Sequence, residues 1–201
     1  MVQECDDQDA LIIPNTATSR VFVAWIALEI LIILFAMEAH GGFTLEALHV
    51  TTRFSGRLSL VAFSVILLSR GTSWGAGWVS EKPFLLFAVL HGIHLAELLG
   101  YVTWSGVQLI PIRVLGGFVA YVFIFAMPIL AKRLHSVTFS KVTLAYFGYV
   151  WLIFFLTYLP RVMGKLPQVG GTFAEHATLF AWVIALAVIR LAWVYRGKLT
   201  A

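Results

Sequence analysis

Four ionisable side chains lie in sequence that is otherwise apolar: Glu29, and three within the run His91-Gly92-Ile93-His94-Leu95-Ala96-Glu97. Ionisable groups are expensive at membrane depth and mark functional sites by default. At about 100° per residue, His91, His94 and Glu97 follow one another at about 60° and form a slanting stripe along one side of a helix. Three chemistries suit this stripe. An imidazole nitrogen that faces the inside of a bundle can ligate haem. His91, His94 and Glu97 are also suitable ligand types for a metal ion, with Glu29 available from a neighbouring helix. In the third reading the histidines hydrogen-bond across the bundle, and Glu97 pairs with one of them or with another helix. Other chemistries lack support. No Ser sits in a nucleophile-elbow motif, and Gly71–Gly77 has neither the Gly-Lys-Ser/Thr ending nor the flanking strand of a phosphate loop.

The elements that must position these groups follow from hydropathy. Of 201 residues, 60% are hydrophobic and 12% charged, against about 25% charged in soluble domains. A chain this short could not hide so much apolar surface from water. A bilayer core of about 30 Å needs roughly 20 mostly apolar residues per helix. Six runs meet or approach that length: Val21–Met37, Phe54–Ser69, Pro83–Val102, Leu109–Ala131, Val142–Leu159 and Ala177–Val194. They do not alternate every second residue, as barrel strands would. The fold class expected is therefore all-α, a polytopic membrane bundle of about six helices. It divides into an acidic N-terminal segment (1–20), the bundle (21–196) and a short tail (197–201). Polar or Gly-rich connectors are expected at His40–Thr52, Gly71–Lys82 and Arg161–His176. With a start near Pro83, His91 lies about 12 Å into its helix and His94 is close to the midplane, at roughly 1.5 Å per residue.

Charge sets the orientation. With the N-terminus inside, Arg20, Arg70, Lys82, Lys132, Arg133, Lys141, Arg190, Arg196 and Lys198 fall on the cytoplasmic side, and Arg53, Arg57, Arg113, Arg161 and Lys165 on the other. This bias favours both termini in the cytoplasm, in a multi-pass protein of the bacterial inner-membrane type. Trp25, Tyr101, Trp104, Trp193 and Tyr195, near span ends, suit the interfacial aromatic belts. The acidic start (Glu4, Asp6, Asp7, Asp9) lacks the basic region of a secretory signal, so the first apolar run is expected to stay in the mature protein. The lone Cys5 permits no internal disulfide. The net charge of +4 is absorbed by loops and helix ends, and nothing points to nucleic acid.

Gly116, Gly117 and Ala120 place small residues on one side of the fourth span, where a neighbouring backbone can approach. Pro128 in the same span is expected to kink it and free the carbonyl of Ile124. Arg57 and Arg113 must snorkel. Glu38, His40, His49, His135 and His176 fall at span ends or in loops and are read as having no special task.

The order of features resembles the six-helix ferric-reductase-like membrane domain, a family that includes the haem-binding membrane subunit of the bacterial methionine sulfoxide reductase system. The similar pieces are Arg53-Phe54-Ser55-Gly56-Arg57-Leu58 opening the second span, Leu90-His91 in the third and Arg113-Val114-Leu115-Gly116 opening the fourth, together spread over about half the chain. The resemblance implies a b-type haem held between histidines of the third and fifth spans. His91 matches the third-span position. The fifth span departs from the pattern: Leu144-Ala145 stands where a Leu-His pair is expected, and the deeper position falls near Tyr158. No histidine lies between His135 and His176. A haem would then need His94, His176 or a partner subunit as second ligand, or be five-coordinate.

Three functions remain open on this reading. One is an integral membrane redox protein, passing electrons through a b-type haem and receiving them from a partner protein. Another is a cofactor-free accessory or structural subunit of a larger membrane complex. A third is a proton-linked transporter that uses Glu29 and Glu97. Membrane lipid surrounds the protein in all three.

Overall fold

Apolar runs of this length have one solution in lipid, because every backbone N–H and C=O must find its partner within the segment. The computed structural model describes residues 16–70, 82–108, 111–166 and 169–199. It contains six helices: α1 (Thr16–Ala39), α2 (Leu45–Ser69), α3 (Pro83–Ser105), α4 (Pro111–Arg133), α5 (Ser136–Val162) and α6 (Phe173–Leu199). All six are long and apolar enough to cross a bilayer, and no strand occurs among the described residues. The expected all-α six-span bundle is the architecture found. Its acidic first fifteen residues, the Gly71–Glu81 part of the second connector and the side chain of Arg113 lie outside the described residues. Six crossings bring the start of α1 and the end of α6 to one face, here called the terminal end; the opposite face is the distal end.

Two helices begin earlier than hydropathy predicts, each for a readable reason. α2 starts at Leu45, inside the expected His40–Thr52 connector. Thr44 caps it by accepting a hydrogen bond from the Ala47 N–H at 3.1 Å, with Glu46 in the first turn. Thr51 and Thr52 then donate their hydroxyls to the carbonyls of Ala47 and Leu48, at 2.9 and 2.8 Å. Polar side chains that satisfy themselves on their own helix look like loop residues to a hydropathy scale. α6 starts at Phe173 behind a reciprocal capping box: the Thr172 N–H donates to Glu175 Oε2 at 2.7 Å, and the Glu175 N–H donates to Thr172 Oγ1 at 3.2 Å.

α2 is the most enclosed helix and packs against α1, α3 and α6. α1, α4 and α6 turn large apolar side chains outward, among them Leu31, Phe35, Phe118, Val122, Val188 and Leu191, as lipid contact requires. The terminal half of the bundle is solid. Phe63 on α2 meets Phe87 on α3 and Phe147 and Phe154 on α5, with ring centroids 5.4–5.8 Å apart. Tryptophans tie the outer helices in. Trp151 donates to the Val183 carbonyl at 2.8 Å, and Trp182 to the Ser64 hydroxyl at 3.0 Å. The small-residue face of α4 is only half a packing seam. A Cβ on Gly116 would come 3.3 Å from Ile153 of α5, and the Gly116 carbonyl accepts from the Tyr149 hydroxyl at 3.0 Å. Gly117 does not meet a neighbouring helix: nothing lies within 4 Å of where its Cβ would be. α4 continues through Pro128 to Arg133.

Candidate functional site

The open space beside Gly117 is part of a cavity of about 490 Å³ in the distal half. It runs from Ile124, Val150 and Phe154, in the middle of the bundle, to Val107 and Val169 in the distal loops. α3 contributes two titratable groups at its inner part, His91 and His94. His91 is held among aromatic rings: Phe87 stacks on it at 5.1 Å, Tyr121 lies at 4.9 Å and Phe154 at 6.1 Å. Its Nδ1 is buried without a hydrogen-bond partner. The His94 ring sits against the backbone of α2 at Gly56, where an added Cβ would stand 3.0 Å from the imidazole Cε1. Glycine at that position leaves the ring its place, and His94 Nδ1 is likewise buried without a partner. The two imidazoles are 5.5 Å apart on successive turns. They reach the cavity from the same wall.

Glu97, next on the stripe, does not line the cavity. It is buried where α1, α2 and α3 meet, in the electrostatic reach of Glu29 of α1 and beside Ser55 of α2. The stripe is thus divided between two places. Among the described residues no group of three or more His, Cys, Asp or Glu side chains is placed to hold a metal ion.

The distal mouth was not legible as a unit in the sequence. Arg53 and Arg57 of α2 both reach Glu175 of α6, at 3.5 and 3.4 Å. Arg57 thus reaches toward the distal end, where it meets a half-exposed carboxylate, with its guanidinium 4.7 Å from the Phe54 ring. Arg161 of α5 lies 5.3 Å from the Tyr158 ring and donates to the Thr157 carbonyl at 3.2 Å, leaving its buried Nε without a partner. Three guanidiniums outnumber the carboxylates there, Glu175 and the exposed Glu46, which lies 3.9 Å from His49 Nδ1, and leave the mouth net positive. Two histidines read as idle line it as well. His49 stacks on Tyr101 at 4.8 Å and bonds to the Val169 carbonyl, and His176 bonds to the Gly170 carbonyl, at 3.1 and 3.0 Å. The turn that brings them together needs glycine at 171. Its φ of +92° is one that other residues rarely adopt, and a Cβ there would lie 2.9 Å from both Arg53 Nη2 and Glu175 Oε2. His135 is exposed at the terminal end, far along the chain from this mouth.

The arrangement has three zones. Imidazoles stand at the inner end, small and apolar walls (Gly117, Ala120, Ile124, Val150, Ile153) line the middle, and cations ring the mouth. Such a cavity suits a flat, largely apolar molecule with an anionic edge. It can coordinate or hydrogen-bond the molecule's core at His91 and pair its anions with guanidinium forks. α5 offers Phe154, Thr157 and Tyr158 to the cavity and no histidine.

Fold and site together define a multi-pass membrane helical bundle with a ligand-sized cavity open toward one face. No family model, curated protein or solved structure matches the chain.

Proposed function

We propose that the protein is a membrane redox protein of the ferric-reductase-like kind, which holds a b-type haem in the distal cavity. His91 would hold its iron, and Arg53, Arg57 and Arg161 would receive its carboxylates. The observation that carries this reading is the single cavity that joins mid-membrane imidazoles to a cationic mouth. When bound, haem supplies one-electron chemistry, and the protein tunes it through the axial ligand, nearby charge and burial. The chain's own residues supply the rest. Phe87 and Tyr121 fix the His91 ring, Gly117 and Ala120 keep the α4 wall flat, and the aromatic core of the terminal half keeps water from entering on that side. With both termini in the cytoplasm, the orientation that the basic bias favours, the mouth faces away from it. Electrons reach the site from a partner protein.

The test is the absorbance spectrum of the purified chain after expression in haem-replete cells. A Soret band that shifts on dithionite reduction is expected. His91→Ala should abolish it without lowering the yield of folded protein, while His135→Ala leaves it intact. A colourless wild-type protein would overturn the haem reading and favour a cofactor-free accessory subunit. That second reading draws on the phenylalanine and tyrosine that α5 presents in place of histidines.

A further inference from the structure

Glu29, Ser55 and Glu97 form a second polar centre, outside the cavity, at the meeting of α1, α2 and α3. Their exposures of 1%, 0% and 9% remove them from both lipid and water. All four carboxyl oxygens and the Ser55 hydroxyl are buried without a hydrogen-bond partner. Ser55, itself fully buried, lies beside both carboxyls. Among the described residues no ion pair reaches the centre. Glu29 of α1 and Glu97 of α3 interact with each other there, while Arg53 and Arg57 of α2 reach Glu175 at the mouth.

Two bare carboxylates side by side at membrane depth are not sustainable, since like charges and burial both oppose ionisation. Something positive must be held there. Alkali cations in membrane proteins are typically coordinated by carbonyls of unwound helices and by broken helix ends. Here α1, α2 and α3 run unbroken past the centre, so their carbonyls are engaged. A proton needs no such cage. Thr52 and Gly56, flanking Ser55 on α2, both line the cavity, so one helix separates the pair from the space that leads to the distal face. Toward the terminal end the way is closed by Leu60, Phe63, Phe87 and Leu90, each at most 1% exposed.

We propose that Glu29 and Glu97 are a proton-exchange site, an acid pair that holds protons inside the membrane and trades them with the aqueous phase on the distal side only. On release, one carboxyl O–H bond breaks and the proton passes to water. The carboxylate left behind accepts hydrogen bonds from the Ser55 hydroxyl and from the carboxyl that stays protonated. On uptake the same O–H bond re-forms. The site is independent of haem.

Infrared spectroscopy of the full chain in lipid bilayers tests this at neutral pH, where water-exposed carboxyls are ionised. The wild-type protein should show a protonated-carboxyl C=O band that shifts when the buffer is changed to D₂O. Glu29→Gln and Glu97→Gln should each remove part of it, and the double variant all of it. Ser55→Ala, which keeps both acids, should move the band's frequency, and serves as the second variant if a glutamine variant fails to fold. Absence of the band in wild type would overturn the proposal. So would a band that never exchanges in D₂O, and so would one that vanishes when potassium is replaced by sodium at constant pH, which marks an alkali-cation site. The Soret band is read on the same samples, so failure of either reading is seen without the other.

Discussion

In the terminal half of the bundle, α2, α3 and α5 fill their shared interior with Phe63, Phe87, Phe147 and Phe154. In the distal half the same three helices, with α4 and α6, stand around a cavity of about 490 Å³. The spans themselves are similar, and the difference lies in a few side chains. Aromatic rings give way to Gly56, Gly117 and Ala120 on the walls, and apolar contacts give way to arginines fixed by one carboxylate. In lipid, helices gain little from hydrophobic association and depend on van der Waals packing and internal hydrogen bonds. The terminal half supplies the packing. That allows the distal half to forgo it and keep an open cavity.

Three substitutions sharpen or break this contrast. The largest effect is expected from Phe63→Ala. Removing a ring that touches three others leaves a void, and such truncations cost about 3–5 kcal/mol in protein cores. The melting temperature in detergent should fall strongly; an unchanged melt would mean that the terminal half is not what holds the bundle together. Gly117→Leu comes next and acts on the other half. The new side chain enters open space, so the melt of the ligand-free protein should change little while haem uptake is lost. A marked drop in melting temperature would show instead that α4 needs glycine there for packing. Glu175→Gln is the mildest. Glu175 is 37% exposed, and ion pairs of this sort contribute about 0–1 kcal/mol. Its loss should scarcely alter stability, yet it leaves Arg53 and Arg57 without their anion. Binding of an anionic porphyrin should become tighter and more salt-sensitive. Equal affinity and equal salt dependence in both proteins would detach the mouth from ligand binding.

The sequence made the six spans legible, because a lipid-facing helix must be apolar over its whole length and nothing else in the chain imitates that. Helix starts were less legible. Thr44, Thr51 and Thr52 hide their polarity in caps and back-bonds, which a hydropathy average counts as exposure to water. The intramembrane stripe was also readable as a line of unusual residues, but its division was not. Whether His94 and Glu97 face one space or two depends on what α1 and α2 place beside them, and Gly56 and Ser55 decide that from a different helix. Least legible was the cationic mouth. Arg53, Arg57 and Arg161 each read as a span-end charge, and only the return of α6 with Glu175 makes them one cluster. A signal was present all the same: Thr172-Phe173-Ala174-Glu175 is a capping-box pattern after two glycines, which marks a tight turn into a helix that carries an acid on its first turn.

The enclosure of α2 has a consequence for biogenesis. It is the least apolar of the six spans and carries Arg53 and Arg57 in its distal half. Arginine within a span is strongly disfavoured when a helix enters the bilayer alone. During synthesis α2 is therefore a poor insertion signal by itself. Its neighbour α1 is strongly apolar and joined to it by a loop of a few residues, so the two are suited to enter as one hairpin. The pair then waits, with the α2 guanidiniums short of a carboxylate, until the last helix delivers Glu175. The charge cluster at the mouth thus becomes a late checkpoint on assembly. A chain truncated before α6 should leave α2 poorly retained in the membrane.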